Sequence, residues 1–448
     1  MCCRWSVEWW KGRNVIEVLR ERGLIQDVTS PDIETLCGSK SVSVYCGFDP
    51  TADSLHLGNL LGILVLSWFQ RCGHQPVALI GGATGRVGDP SGKSAERPVL
   101  AEEQIEANLN GIRGVLVGLL QAGGEPKVVN NLDWFGPMGF LEFLRTVGKA
   151  ARVGTMMSKD SVKTRMASET GISYTEFTYQ LLQGYDFVHL NRTMGVEVQI
   201  GGSDQWGNIT AGTELLRKLS GFDEEDTVAA DGAEAPTAYG LTFPLLTDAS
   251  GKKFGKSEGG AIWLTADKVS PYQFYQHLFQ TTDADVIKFL RMLTFLPMDE
   301  IDAIEAAMSQ EGYKPNTAQR RLAEEVTRFV HGEAGLRAAL KATEGLRPGS
   351  DTKLDAEALE ALAQSGDVPC TELSRAEVVG RPVVDVLVEV GLQKSKSAAR
   401  KMVQGGGIRL NNERVGDVAA EVGDDDVLGG KLVLLAAGKK NKMIVRIA

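Results

Sequence analysis

The 448-residue sequence is poor in several things, and each shortage removes a class of protein. Its six cysteines (Cys2, Cys3, Cys37, Cys46, Cys72 and Cys370) include no CxxC pair. That argues against a zinc site or a disulfide framework and for a reducing compartment. No apolar run reaches the ~20 residues a membrane helix needs. The longest, around Leu60–Phe69, is broken by Gly62 and reads as a core helix. The first dozen residues lack the apolar stretch of a secretory signal, and Glu8 beside a tryptophan cluster fits a transit peptide poorly. The Gly-rich run 81–94 is not a Walker A loop, because the glycine required five positions before Gly92 is Val87. The G-x-G-x-x-G spacing fails as well.

Positive charge is also short: 48 Lys and Arg stand against 58 Asp and Glu, a net of −10. The deficit is uneven. From Arg381 to Ala448 there are 12 basic and 8 acidic residues, a net of +4, which leaves −14 for the rest. Phosphate binding with counterion release is therefore expected of the C-terminal segment.

What is present is the composition of a soluble globular protein, 43% hydrophobic and 24% charged, long enough for two or three domains. Residues 1–40 read as an N-terminal segment with a short helix over Asn14–Arg22. Over 41–265 strands alternate with helices: a continuous apolar strand Pro76–Ile80, a helix Glu102–Gln121, a short strand Lys127–Asn131, a helix Phe140–Val147 and a strand from Val196. That order predicts an α/β fold, a Rossmann-like doubly wound parallel sheet. The acidic stretch Phe222–Tyr239 reads as an exposed insertion, and Leu241–Leu246 as the last strand. Residues 266–345 read as an α-helical domain, 346–380 as a linker, and 381–448 as a small α+β domain. The helix over Ile172–Leu190 carries Tyr179, Gln183 and Asp186 at i, i+4 and i+7, one face, within apolar surroundings. A buried polar stripe of this kind needs partners.

The chain is organised around Tyr45–Asn59. Val42, Val44 and Cys46 alternate with polar residues as in a strand, Asp49-Pro50 ends it, and a long apolar helix opens after Leu57-Gly58. His56 and Asn59 thus sit at a helix N-terminus, where backbone N–H groups and the dipole favour a phosphate. Alone, His56-Leu-Gly-Asn59 is no more than a helix start. Together with the loop Lys252-Lys253-Phe254-Gly255-Lys256-Ser257 it resembles the paired HIGH and KMSKS signatures of class I aminoacyl-tRNA synthetases. The flanks Tyr45-Cys-Gly-Phe-Asp49-Pro-Thr51-Ala-Asp-Ser-Leu-His56 and Gly201-Gly-Ser-Asp204-Gln205-Trp206-Gly-Asn-Ile209 resemble the bacterial-type tyrosyl-tRNA synthetases, and the likeness runs from about Val15 to the end.

That resemblance implies activation of L-tyrosine with ATP to tyrosyl-adenylate and pyrophosphate, then transfer to the 3′ end of tRNA(Tyr). Attack of a carboxylate on the α-phosphate needs no side-chain nucleophile, so positioning and charge stabilisation carry it. By the resemblance Thr51 and His56 act on the γ-phosphate side, and Lys253 and Lys256, aided by Lys93 and Arg97, neutralise the leaving pyrophosphate. Tyr45 and Asp186 hold the phenol hydroxyl. Asp89, Tyr179 and Gln183 hold the ammonium group, with Asn130 behind them, and Gln205 orients the carboxylate. Cys46, Gly202 and Asp204 meet the ribose, while Gly47, Asp49 and Asn59 lie beside ATP. ATP comes with Mg2+ as substrate, and no protein-bound metal or organic cofactor is implied. Asn59 departs from the histidine usual at the fourth HIGH position; both side chains donate hydrogen bonds, so activity is expected to survive.

The C-terminal segment, with Lys394, Lys396, Arg400 and Lys401 read on a helix before Gly405, resembles an S4 RNA-binding domain. The resemblance further implies a homodimer without membrane attachment, in a bacterial cytoplasm or the matrix of a chloroplast or mitochondrion. Three rivals are weaker. Tryptophanyl-tRNA synthetase is disfavoured by the Tyr179/Gln183/Asp186 face and the S4-like end, a non-catalytic RNA-binding scaffold by its intact motifs, and a nucleotidylyltransferase by the helical and basic segments.

Overall fold

The computed structural model describes residues 10–448 apart from 92–99, 122–125, 222–236, 258–259, 348–349, 351 and 439–440; for Lys256 and Ser257 it describes the backbone only. Lys93, Arg97, the Lys256 side chain, Lys439, Lys440 and most of the acidic insertion therefore lie outside the described residues. The chain divides into two compact units. One comprises residues up to Leu264 with Thr282–Ala318, the other Thr265–Thr281 with Gln319–Ala448.

The first unit is built on a six-stranded sheet in the order β1-β6-β5-β2-β3-β4. Its strands are β1 (Asp27–Val28), β2 (Ser43–Phe48), β3 (Gln75–Ile80), β4 (Lys127–Asn130), β5 (Val196–Gly202) and β6 (Tyr239–Phe243). All pairs are parallel except β1 with β6. Strands buried on both faces read as apolar runs, and β3 is such a run. The first crossover is the helix α2 (Leu57–Arg71), which is apolar almost all round and buried from Leu60 to Gln70. At roughly 1.5–3 kcal/mol for each large apolar side chain removed from water, a helix of this kind is held by burial rather than propensity.

From β2 the chain winds outward through α3 (Glu102–Leu119) to β4, then returns through α4 (Tyr174–Met194) to β5 on the other side of β2. Ser173 caps α4 by accepting from the Glu176 N–H, and Gly195, in the left-handed conformation at φ 63°, ends it. The winding reverses between β2 and β5, so a crevice opens at their carboxyl ends. The helix α5 (Trp206–Leu219) packs against α4 and β5.

The all-helical segment expected over 266–345 does not form one body. The helix α6 (Asp283–Leu293) belongs to the first unit, and the reason is Arg22 at the end of the N-terminal helix α1 (Val15–Glu21). Its guanidinium, 1% exposed, donates to the carbonyls of Arg291 (3.1 Å), Thr294 (3.0 Å) and Leu296, and lies 4.2 Å over the Trp68 ring. Burial pulls its pKa down to about 9. Removing it would leave three carbonyls without their donors.

In the second unit the stretch read as a linker is structured. It supplies α7 (Ala356–Gln364) and β7 (Cys370–Leu373), because Leu359, Leu362 and Val368 pack into a core with Leu432, Leu434 and Ile444. The helix α8 (Lys396–Gln404) starts two residues later than Lys394, after the cap residue Ser395, which accepts from the Ala398 N–H. With β8 (Ile408–Leu410), β9 (Glu413–Arg414), β10 (Leu432–Ala437) and β11 (Asn441–Ile447), the sheet runs β9-β8-β10-β11-β7.

Candidate active site

The crevice at the carboxyl ends of β2 and β5 holds a cavity of about 380 Å³. Strand β2 contributes Tyr45 and Cys46, α4 contributes Tyr179, Gln183 and Asp186, and the turn after β5 contributes Asp204 and Gln205. Tyr45 and Asp186 are each 1% exposed. Asp186 accepts from Asn131 Nδ2 (3.1 Å, Oδ2) and from the Trp134 indole Nε1 (3.0 Å, Oδ1). Burial nevertheless pushes its carboxyl pKa well above the ordinary value, the two donors opposing. The Tyr45 hydroxyl is buried with no partner among the described residues, and burial and then Asp186 raise its pKa, so it stays a neutral donor. An unsatisfied buried hydroxyl beside a carboxylate in a cavity calls for a ligand that pairs with it.

Two aspartates build the walls. Asp49 accepts from Thr84 Oγ1 (2.7 Å) and from the Tyr179 hydroxyl (2.9 Å). This contact needs Gly81, since a Cβ there would come within 2.0 Å of Asp49 Oδ1 and 2.3 Å of Thr84 Oγ1. Asp89, only 8% exposed, accepts from Gln205 Nε2 (2.8 Å) and the Ser91 N–H (2.9 Å). Asn208, one turn into α5, reaches the same cluster. Asp204, at the cavity wall, has its pKa raised first by desolvation and next by Asp89, against the pull of Lys253.

The rim is the start of α2. His56 is its cap: Nδ1 accepts from the Gly58 N–H (3.1 Å), and Asn59 Oδ1 accepts from the His56 N–H (3.1 Å). In the neutral imidazole that arrangement leaves the proton on Nε2. The carbonyl of Asn59 is used in the cap, so its amide NH₂ remains for a ligand. Gly255 and the stretch Ile262–Trp263 lie against this start. Leu57 N–H donates to Ile262 O (2.7 Å), Ile262 N–H donates to Gly255 O (3.1 Å), and a Cβ on Gly255 would stand 2.9 Å from Gly58 N. Lys253, exposed, is thereby brought to the cavity that Thr51, His56 and Asn59 line.

The cavity brings together Tyr45, Cys46, Gly47, Asp49, Thr51, His56, Asn59 and Asp89 from the first half of the unit. From the second half it brings Tyr179, Gln183, Asp186, Gly202, Asp204, Gln205 and Lys253. Asn130 is not in the lining. Its Oδ1 accepts from the Leu132 N–H behind Gly82, and the neighbouring Asn131 reaches Asp186 instead. Lys394, Lys396, Arg400 and Lys401 lie in the second unit, all exposed, with Lys396 Nζ paired to Asp385 at 2.9 Å. Sequence reasoning gave no role to Thr84, Asn131, Trp134 or Asn208, nor to Gln199, which lines the cavity from β5. Thr84 and Asn131 had one available signal, a place just past the ends of β3 and β4 in an α/β sheet.

Comparisons with known proteins agree with this geometry. Residues 39–346 match the profile of the tRNA synthetases class I (W and Y), and residues 360–445 that of the tyrosine–tRNA ligase SYY-like C-terminal domain. The tyrosine–tRNA ligase, chloroplastic/mitochondrial, of Arabidopsis thaliana is 56% identical over 97% of this chain and 84% of its own length. That of Protochlamydia amoebophila is 54% identical over 97% and 99%. Among solved structures, a C-terminally truncated mitochondrial tyrosyl-tRNA synthetase of Aspergillus nidulans matches with TM-score 0.63 and 33% identity, covering 73% of this chain and 92% of that one. With its cavity at the sheet's reversal point, both profiles and relatives of this identity along nearly its whole length, the chain belongs to the tyrosine–tRNA ligases, within the class I tRNA synthetases.

Proposed function

We propose that the cavity of the first unit performs tyrosine–tRNA ligation with the following division of labour. The phenol of L-tyrosine lies between the Tyr45 hydroxyl, which donates, and Asp186, which accepts. Asp89, Tyr179 and Gln183 receive the ammonium group, and Gln205 turns the carboxylate toward the α-phosphate of ATP, which enters with Mg2+ as substrate. Cys46, Gly202 and Asp204 face the ribose, with Gly47 and Asp49 beside it. Thr51, His56 Nε2 and Asn59 donate to the phosphates at the positive end of α2, and Lys253 and Lys256, with Lys93 and Arg97, balance the charge that develops on pyrophosphate. Tyrosyl then passes to the 3′ end of tRNA(Tyr). The observation that carries this reading is the buried, unpartnered Tyr45 hydroxyl in one cavity with Asp186. A site built around a substrate hydroxyl rejects the analogue that lacks it, because the site's own groups are then left unpaired.

The reading extends to assembly and place. Phe140 (63% exposed), Leu141 (78%), Val153 (61%) and Tyr174 (63%) are large apolar side chains left exposed, and a second copy would cover them in a homodimer. The second unit, S4-like, holds tRNA through Lys394, Lys396, Arg400 and Lys401. The compartment is a bacterial cytoplasm or an organelle matrix; among the described residues no helix is long and apolar enough to cross a membrane.

The test is amino-acid-dependent ATP–pyrophosphate exchange with tyrosine, tryptophan and phenylalanine in parallel, beside a Lys256→Ala control. Exchange with tyrosine alone, strongly reduced in the control, is expected. Exchange with tryptophan, or with none of the three in a folded protein, overturns the assignment.

A further inference from the structure

Asn208 has a position that the roles above do not use. It is 3% exposed, on the first turn and a half of α5, and its Nδ2 stands within reach of four acceptors. These are Gln183 Oε1 at 3.0 Å, Gln205 Oε1 at 3.2 Å, Ser91 Oγ at 3.3 Å and Asp89 Oδ1 at 3.5 Å. An amide nitrogen has two hydrogens, so the two shortest contacts, both to glutamine carbonyls, take them best. A glutamine side chain is nearly symmetric in shape and differs end to end only in hydrogen bonding. A buried donor facing it therefore decides which end points where. The orientation is cooperative: with its Oε1 held by Asn208, Gln205 presents Nε2 to Asp89 Oδ2 at 2.8 Å. Turning either amide over would set NH₂ against NH₂ in a site with little water, and would leave a buried acceptor unsatisfied.

We infer that Asn208 is a positioning residue for the amino end of the substrate: it fixes the amide orientation of Gln183 and Gln205, and through Gln205 the carboxylate of Asp89. This rests on the proposed reading of Asp89, Gln183 and Gln205 as the cradle for the ammonium and carboxylate groups. Asn208 does not line the cavity and acts through residues that do. It lies in the Gly201–Ile209 stretch of the sequence without a role assigned to it there, and its partners lie up to 119 residues away.

The consequence is selective. Loss of the Asn208 donor weakens ligands that use the amino end and spares those that do not. In the full chain, Asn208→Leu keeps the branched shape and heavy-atom count of the side chain and removes the donor. Its expected effect is a rise in KM for tyrosine of about ten-fold or more, the loss of hydrogen bonds to a charged group, with KM for ATP within two-fold. The discriminating ligand is 4-ethylphenol, tyrosine without its amino and carboxylate groups, measured as a competitive inhibitor. Its Ki is expected to stay within two-fold of wild type. A general loosening of the pocket would weaken both ligands alike, and that result overturns the proposal. Asn208→Asp is the second variant should the leucine form fail to fold; it keeps shape and polarity but sets an acceptor among acceptors, and the same selective loss is expected. Asp89→Asn and Gln183→Ala serve as comparators. If they raise the KM for tyrosine and neither Asn208 variant does, Asn208 has no positioning role. If they too leave it unchanged, the cradle reading itself fails.

Discussion

Removing one oxygen, in Tyr45→Phe, separates what the pocket needs for binding from what the fold needs for stability. The ring is packed, with its centroid 5.5 Å from that of Phe187, and phenylalanine keeps that packing. The hydroxyl is another matter, being buried in the free protein without a partner among the described residues. A buried polar group in that state costs about 1–3 kcal/mol, so its deletion should stabilise the free protein by up to that amount and should not destabilise it. Tyrosine, however, loses the donor that meets its phenol oxygen. A neutral hydrogen bond is worth about 0.5–1.5 kcal/mol net, and the substrate oxygen left half satisfied adds to that, so affinity should fall by about five- to thirty-fold. Phenylalanine has no hydroxyl to pair and should bind the variant no worse than wild type. Discrimination between the two amino acids, read as the ratio of kcat/KM values in pyrophosphate exchange, therefore falls by the same factor. Thermal or urea unfolding without ligand gives the stability arm. A ratio unchanged within two-fold, or a variant clearly less stable than wild type, would refute the reasoning, because either requires the hydroxyl to have a partner inside the fold.

Other expectations follow from single contacts. Gly81→Ala forces a Cβ to within 2.0 Å of Asp49 Oδ1, so it should break the Thr84–Asp49–Tyr179 chain. Overpacking of about 1–3 kcal/mol implies an exchange rate down roughly five- to a hundred-fold. His74 in the first unit and His331 in the second are both pulled down to about 4 by burial. A histidine whose folded pKa is depressed contributes no penalty above its unfolded pKa near 6.5, and stability is lost as pH falls from there toward 4. Each should add about 1.4 kcal/mol per pH unit to the slope in that window, and His74→Gln should remove its share in urea titrations at pH 7, 6 and 5. Leu141→Asp, at 78% exposure, should turn a dimer into a monomer in analytical ultracentrifugation without lowering the melting point; a wild-type monomer would sink the proposed interface.

What could be read in the sequence was what local periodicity encodes. Tyr179, Gln183 and Asp186 stand one helical turn apart, and a helix of that register has no choice but to present them on one face. His56 and Asn59 were legible for the same reason, since a cap and the residue three beyond it are neighbours by construction. The stretch through Cys46 was legible as a strand, but burial does not alternate along it: Val44, Tyr45 and Cys46 are all buried, in a strand paired on both sides. Each of these inferences needs only residues within a turn or a pleat of one another.

Asn130 and Asn131 mark where that information ends. The strand ladder β3–β4 closes with Ile80 opposite Asn130, and the chain then turns into a helical segment at Leu132. Inside a ladder the period of two would decide which asparagine faces the site. At its last residue the turn decides, and the turn is set by side-chain bonds: Asn130 Oδ1 takes the Leu132 N–H, and Asn131 Oδ1 takes the Ala83 N–H. Asn131 is then left with its amide nitrogen directed at Thr84 and Asp186. Two adjacent, chemically identical residues thus divide into a turn former and a carboxylate donor by contacts 47 and 55 residues away. Trp134 has the same dependence: stacked 4.3 Å from the His189 ring, its indole is aimed at Asp186 by a helix that follows it in the chain. Polar side chains that support the groups touching the substrate are chosen for partners distant in sequence, and so they carry no periodic mark of their own.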